Sequence, residues 1–151
     1  MITIEDFKSK HPNKVRFIGL DLGSKRIGVS ICDERQSIAT PYKTINKTNT
    51  NNLIVELQKI IKENKIRGII VGNPINMDGS MGRSTQSVND IASNISKSID
   101  LPVILWDERL STVGAFNLSS QLDVNVSKRV KTIDQNAAAF ILQGAIDFLN
   151  N

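Results

Sequence analysis

The stretch FIGLDLGSKRIGVSICD, residues 17–33, sets two β-branched runs, VRFIGLDLG and RIGVSICD, on either side of a short GSKR connection. Glycine and polar residues suit a tight link between antiparallel strands, so the stretch reads as a β-hairpin. Within the first run, otherwise apolar, stands Asp21. An isolated ionised carboxylate is costly to bury, so Asp21 needs a partner, access to solvent or a metal.

Working outward, SIATPYKTI predicts a third strand, and TNTNNLIVELQKIIKENKI places Leu53, Ile54, Leu57, Ile60 and Ile61 at helical spacing behind a Thr or Asn cap. RGIIVGNP is a short apolar run that ends on a Gly-Asn-Pro breaker, as a strand buried on both faces would. A second amphipathic helix follows in STQSVNDIASNISKSI, then a second buried strand in LPVILWDE. Strand and helix alternating in this way predict βαβ crossovers and parallel pairing after the opening hairpins.

Beyond these, STVGAFNLSSQL reads as a short helix, DVNVSKRVKT as a polar, basic and mobile segment, and IDQNAAAFILQGAIDFL as a closing helix with Asp134 in its first turn. The expected architecture is one α/β domain over residues 15–151 on a mixed sheet, preceded by a polar lead-in, 1–14.

A chain of 151 residues with 40% hydrophobic and 23% charged residues suits one globular domain whose core rests on Ile, Leu, Val and Ala, aromatics being only 5%. No apolar run approaches the ~20 residues that cross a bilayer, and the amino terminus lacks the apolar region of a signal peptide. The single cysteine, Cys32, cannot form an internal disulfide and reads as a buried, reduced thiol. The expectation is a cytoplasmic protein without a membrane partner. The only histidine, His11, lies in the lead-in, so a histidine-based triad or zinc site is hard to assemble and any chemistry falls to carboxylates. A net charge of +4 is compatible with nucleic acid without requiring it.

Asp21 ends the first strand, Asp107 and Glu108 end the last, and Asp134 opens the final helix. Ligands of open α/β sheets gather at the carboxyl ends of parallel strands, where these acids would converge if the final helix packs across them. Crowded carboxylates repel one another unless a cation neutralises them, and oxygen ligands suit Mg²⁺ or Mn²⁺. Two such ions about 3.5–4 Å apart would serve phosphodiester hydrolysis. Lys25, Arg26, Arg83, Arg109, Lys128, Arg129 and Lys131 are then candidate phosphate contacts. Plainer readings stand beside these: Asp107 pairing with Arg109, Asp134 interacting with its helix dipole, and the basic clusters as solvated faces.

GLDLGSKRIGVSICD, GIIVGNPINMDGSMGRS, DERLST and KTIDQNAAAFILQGAIDFL together resemble the YqgF/RuvX family, described as pre-16S rRNA nucleases or Holliday junction resolvases; the resemblance runs from about residue 15 to the end. It implies an RNase H-like fold, with a five-stranded mixed sheet, three antiparallel strands first, parallel crossovers after and helices on both faces, in a bacterial cytoplasmic protein. The implied catalytic and metal-binding acids are Asp21, Glu108 and Asp134, with Asp107 in reserve because adjacent strand residues point to opposite sides. Gly19 and Gly23 would let the chain turn around Asp21. Asn73 would edge the cleft, and Arg109, Ser111 and Thr112 would reach phosphate or support the second acid.

The function expected is metal-dependent endonucleolytic cleavage of structured nucleic acid, with pre-16S rRNA favoured and branched DNA the nearest rival, by a monomer or weak homodimer. From other classes come a non-catalytic nucleic-acid-binding or antitermination factor, and an ATP-binding protein of the actin and sugar-kinase type. The last is disfavoured because 151 residues hold one such domain where two are usual.

Overall fold

Five strands form one sheet in the order β3-β2-β1-β4-β5. The computed structural model describes residues 1–74, 78–79, 82–110 and 126–151, the side chains of residues 83, 84, 110 and 126–135 excepted. The strands β1 (Phe17–Leu22), β2 (Arg26–Cys32) and β3 (Ala39–Asn46) run antiparallel in sequence, while β4 (Gly68–Asn73) pairs parallel with β1 and β5 (Val103–Asp107) pairs parallel with β4. Pro41, which has no amide hydrogen to donate, sits in edge strand β3, where that loss is tolerated. The hairpins-then-crossovers reading is therefore what forms.

Strand alternation divides the core into two layers. Ile18, Leu20, Ile27, Val29, Ile69 and Val71 pack beneath α2 (Thr50–Asn64) and α3 (Arg83–Ser98). Phe17, Cys32, Ile70, Ile104 and Trp106 face the last helix, α4 (Val126–Asn150), through its Ile141, Leu142, Ala145 and Ile146. Helix α2 starts where Asn49 accepts the Asn52 amide at 2.9 Å and stops at Lys65 in left-handed conformation. Cys32 is buried as expected, its Sγ accepting the Phe17 amide at 3.1 Å, and burial pushes its thiol pKa up.

Helix α4 approaches β1 most closely at Gly19. A Cβ there would lie 2.7 Å from Leu142 Cβ and 3.1 Å from the Ala138 carbonyl oxygen, which already accepts a 2.8 Å hydrogen bond from Ser30 Oγ. Gly19 is needed for this contact rather than for the turn around Asp21 that the sequence suggests. Gly19→Ala should cost about 2 kcal/mol through overpacking, lowering Tm by roughly 4–8 °C. An unshifted melting curve would show that helix and strand can separate freely at this point.

Two expectations change. The segment read as mobile, DVNVSKRVKT, is helical from Val126 onward, so α4 begins two turns earlier than its apolar periodicity indicates and Asp134 lies in its interior, not its first turn. Lysine and arginine propagate helices well, and residues 126–133 contain neither proline nor glycine to stop one. The polar lead-in also folds: α1 (Ile4–Lys10), capped by Thr3, buries Ile4 and Phe7 against the α4 layer. The short helix expected over 111–122 lies outside the described residues.

Both ends of the chain are fastened. The Ile2 amide donates to the Val103 carbonyl at 3.1 Å, forming a parallel bridge on the outer edge of β5. Lys8 Nζ donates to the carbonyls of Phe148 and Asn151 at the end of α4. Asn150 exchanges two hydrogen bonds with buried Gln36, whose Oε1 also accepts the Val15 amide.

Candidate active site

Asp21 lies on the α4 side of the sheet, level with glycine on both neighbouring strands. It pairs in register with Gly28 of β2, and because Leu20 pairs with Val71, Gly72 of β4 stands on its other flank. Gly72 leaves a trough that a second carboxylate fills. A Cβ on Gly72 would lie 3.0 Å from Glu108 Cγ and 3.2 Å from its Cδ, with Ile141 Cδ1 closing in at 2.6 Å.

Glu108 opens the 3₁₀ turn that follows β5, Glu108–Leu110, and its side chain reaches across Gly72 to hydrogen-bond Asp21. Burial raises its pKa to about 7, and the Asp21 charge, the hydrogen bond to Asp21 and the Asp107 charge push the same way. Glu108 so placed holds a proton to higher pH than a free carboxyl does, directed at Asp21.

The neighbouring acid is engaged elsewhere. Asp107 receives Arg109 Nε at 3.0 Å, Nη2 at 2.6 Å and the Arg109 amide at 3.0 Å. The Arg109 hydrogen bond holds the Asp107 carboxyl below its usual range, desolvation opposing. Of the adjacent pair, Glu108 therefore meets Asp21 while Asp107 fixes an arginine, the plain pairing that the sequence also allowed.

Asp134 lies on α4 one turn before Ala138, the residue whose carbonyl meets Ser30, and its side chain is outside the described set. Among the described residues the acids that meet are two, and no group of three potential metal ligands forms. Asn73 ends β4 in register with Asp107; its Oδ1 is buried without a hydrogen-bond partner among the described residues. Lys25 is exposed and Arg26 half-buried at the hairpin turn on this end of the sheet. Arg83 opens α3, and Lys128, Arg129 and Lys131 lie on α4, with their side chains outside the description, as are Ser111 and Thr112 altogether. Gly23 donates its amide to the Asp21 carbonyl at 3.1 Å, holding the chain where it leaves the strand. Sequence reasoning passed over Gly28 and Gly72; a glycine in each strand flanking the Asp21 position was the available signal.

The raised Glu108 pKa carries a stability consequence. The folded state binds this proton more tightly than the unfolded chain, so its contribution is complete below about pH 4.5 and disappears as pH rises through about 7. Allowing for partial exposure, the loss is on the order of 2 kcal/mol. Glu108→Gln should flatten the decline in unfolding free energy between pH 5 and 8 and make the variant more stable than wild type at pH 8. Parallel pH profiles for the two proteins would mean that Glu108 does not hold its proton to higher pH.

A five-stranded mixed sheet in this order beneath a long helix is that of the RNase H-like fold. The RuvX family model, described as Holliday junction resolvase, matches residues 15–148, and the chain belongs to that family. A protein of Pelagibacter ubique (strain HTCC1062) named "Putative pre-16S rRNA nuclease" is 90% identical over 151 residues, 100% of both chains. One of the same name from Rhodobacter capsulatus is 42% identical over 146 residues, covering 97% of this chain and 92% of that one. Thermus thermophilus RuvC shares the fold with a TM-score of 0.54 at 8% identity, over 89% of this chain and 96% of that structure. No helix among the described residues is long and apolar enough to cross a membrane.

Proposed function

We propose that this protein is an endonuclease that hydrolyses phosphodiester bonds in structured nucleic acid in the cytoplasm, with the 5′ end of pre-16S rRNA as its substrate. The observation that carries the reading is the Asp21–Glu108 carboxyl pair at the carboxyl end of the sheet. The substrate comes from the names of relatives that match nearly the whole chain.

Two acids that meet with a proton held between them have the chemistry of an incomplete oxygen-ligand set, which a hard divalent cation completes. Asp21, Glu108 and Asp134 would hold Mg²⁺ or Mn²⁺. When bound, such ions supply an activated water and offset charge on the phosphate. Glu108 keeps its proton toward Asp21 until the pair is neutralised otherwise, so a cation that binds there at or below about pH 7 must displace that proton. Gly72 leaves the space through which Glu108 reaches Asp21. Asp107 pre-orients the Arg109 guanidinium, whose remaining donors suit a phosphate oxygen, while Lys25 and Arg26 hold the strand beside the acids.

The test compares a precursor rRNA fragment with a four-way DNA junction, each with Mn²⁺ or Mg²⁺, for wild type and Asp21→Asn. Wild type should cut the rRNA and the variant should not. Preferential cutting of the junction would move the substrate to branched DNA. Equal cutting by both proteins would remove the acids from the chemistry and leave a binding or antitermination role.

A further inference from the structure

β3 runs parallel to β1, so its carboxyl end opens on the same end of the sheet as Asp21. There, between the end of β3 and the start of α2, lies a cavity of about 370 Å³, away from the acid pair. Its floor is apolar, from Ile45 and Leu53, and its walls carry Lys43, Lys47, Asn46 and Thr48. The Lys47 amide donates to the Lys25 carbonyl at 3.0 Å, which joins this wall to the hairpin turn bearing Lys25 and Arg26. Lys43 and Lys47 thus line the α2 side of this sheet end, Lys47 is tied to the hairpin turn, and Arg26 alternates to the side that carries Asp21. The one acid in the lining, Glu56, is 3.6 Å from Lys43.

We propose that this cavity is a second nucleic-acid subsite, which takes the sugar-phosphate backbone of the strand that leaves the acid pair. The proposal rests on the nuclease reading for its substrate class. Two strand spacings separate β3 from β1, about 10 Å, more than one phosphate step along a single strand, so a chain leaving the carboxyls reaches the cavity in roughly two nucleotides. The amide of Asn52 at the start of α2 is already taken by Asn49, so the charge that recruits phosphate comes from the lysines. Nucleic acid would lie across the sheet end with one phosphate at the carboxyls and the next ones over Lys25, Arg26 and Lys47. Lys43 turns from Glu56 toward the strand.

The experiment measures binding of a fluorescein-labelled single-stranded RNA from the pre-16S leader, without divalent ions, across a series of salt concentrations. Lys47→Gln and Lys43→Gln are compared with wild type and with Lys59→Gln, an exposed α2 lysine outside the cavity. Each cavity variant should lower the slope of log K against log salt by about 0.7 and weaken binding severalfold, while Lys59→Gln changes neither. Thermal melting of each variant controls for folding. With Mn²⁺, hydrolysis of bis(p-nitrophenyl) phosphate, which has no flanking phosphates, should be the same in the cavity variants as in wild type.

Unchanged slopes and affinities for both cavity variants overturn the subsite while leaving the nuclease reading to the Asp21→Asn comparison. A slope lowered equally by Lys59→Gln overturns it too, because the charge effect is then diffuse. Wild type that does not bind RNA at all overturns both.

Discussion

Asp21→Asn is expected to lower phosphodiester cleavage by about a thousandfold or more, equivalent to roughly 4 kcal/mol of transition-state stabilisation, while the protein stays folded. The two effects separate because of how Asp21 is placed. Its charge is one of the forces that raises the Glu108 pKa, so removing it relieves repulsion inside the site. The variant should therefore be at least as stable as wild type at neutral pH. A large loss of cleavage accompanied by a lowered Tm would mean that Asp21 serves the fold, and the catalytic assignment would have to move. A second readout does not depend on turnover: Mn²⁺ added to wild type near pH 6.5 should release close to one proton per protein, and the release should vanish in Glu108→Gln. Calorimetry in buffers of different ionisation enthalpy measures it.

Phe7→Ala is expected to cost about 3 kcal/mol, with a Tm fall of roughly 6–12 °C. The ring is almost fully buried, meets Phe17 edge-on with centroids 5.3 Å apart, and has His11 stacked on it at 4.5 Å. Because α1 also carries Lys8 to the end of α4, losing the ring should loosen that contact as well. Chemical denaturation of the variant checks the magnitude. A cost below ~1 kcal/mol would show that residues 1–14 are an appendage rather than part of the core.

The sheet was legible because its patterns are strong. The GSKR turn between two β-branched runs, and the two apolar strands that alternate with amphipathic helices, each follow from local chemistry. Helix α1 was not legible in the same way, because seven residues with two apolar positions give too little periodicity to separate a short helix from a polar lead. The early start of α4 was hidden for the opposite reason: its first two turns bear few apolar residues, so helix propensity and not amphipathicity sustains them.

At the candidate site the residue types were readable and their orientation was not. Asp107 and Glu108 are adjacent, and the choice between them depends on which face of β5 meets α4. Trp106 settles that parity, since it packs with the α4 layer and tilts against Phe148 at 6.1 Å. The space that lets Glu108 reach Asp21 comes from Gly72, a residue with no side chain to announce itself.

The pinning of α4 also sets a tolerance for Asp134, the proposed third acid. Its contacts at Ala138 and Asn150 are twelve residues apart, a baseline of about 18 Å at 1.5 Å per residue. An error of about 1 Å at the distant pin swings the axis by only ~3°, and the backbone of Asp134, some 6 Å past the nearer pin, then shifts by roughly 0.3 Å. Like a surveyor's long sight line, the helix turns coarse fastening at the chain terminus into fine aim at the sheet end, so sequence drift around Asn150 is forgiven where drift around Ala138 is not.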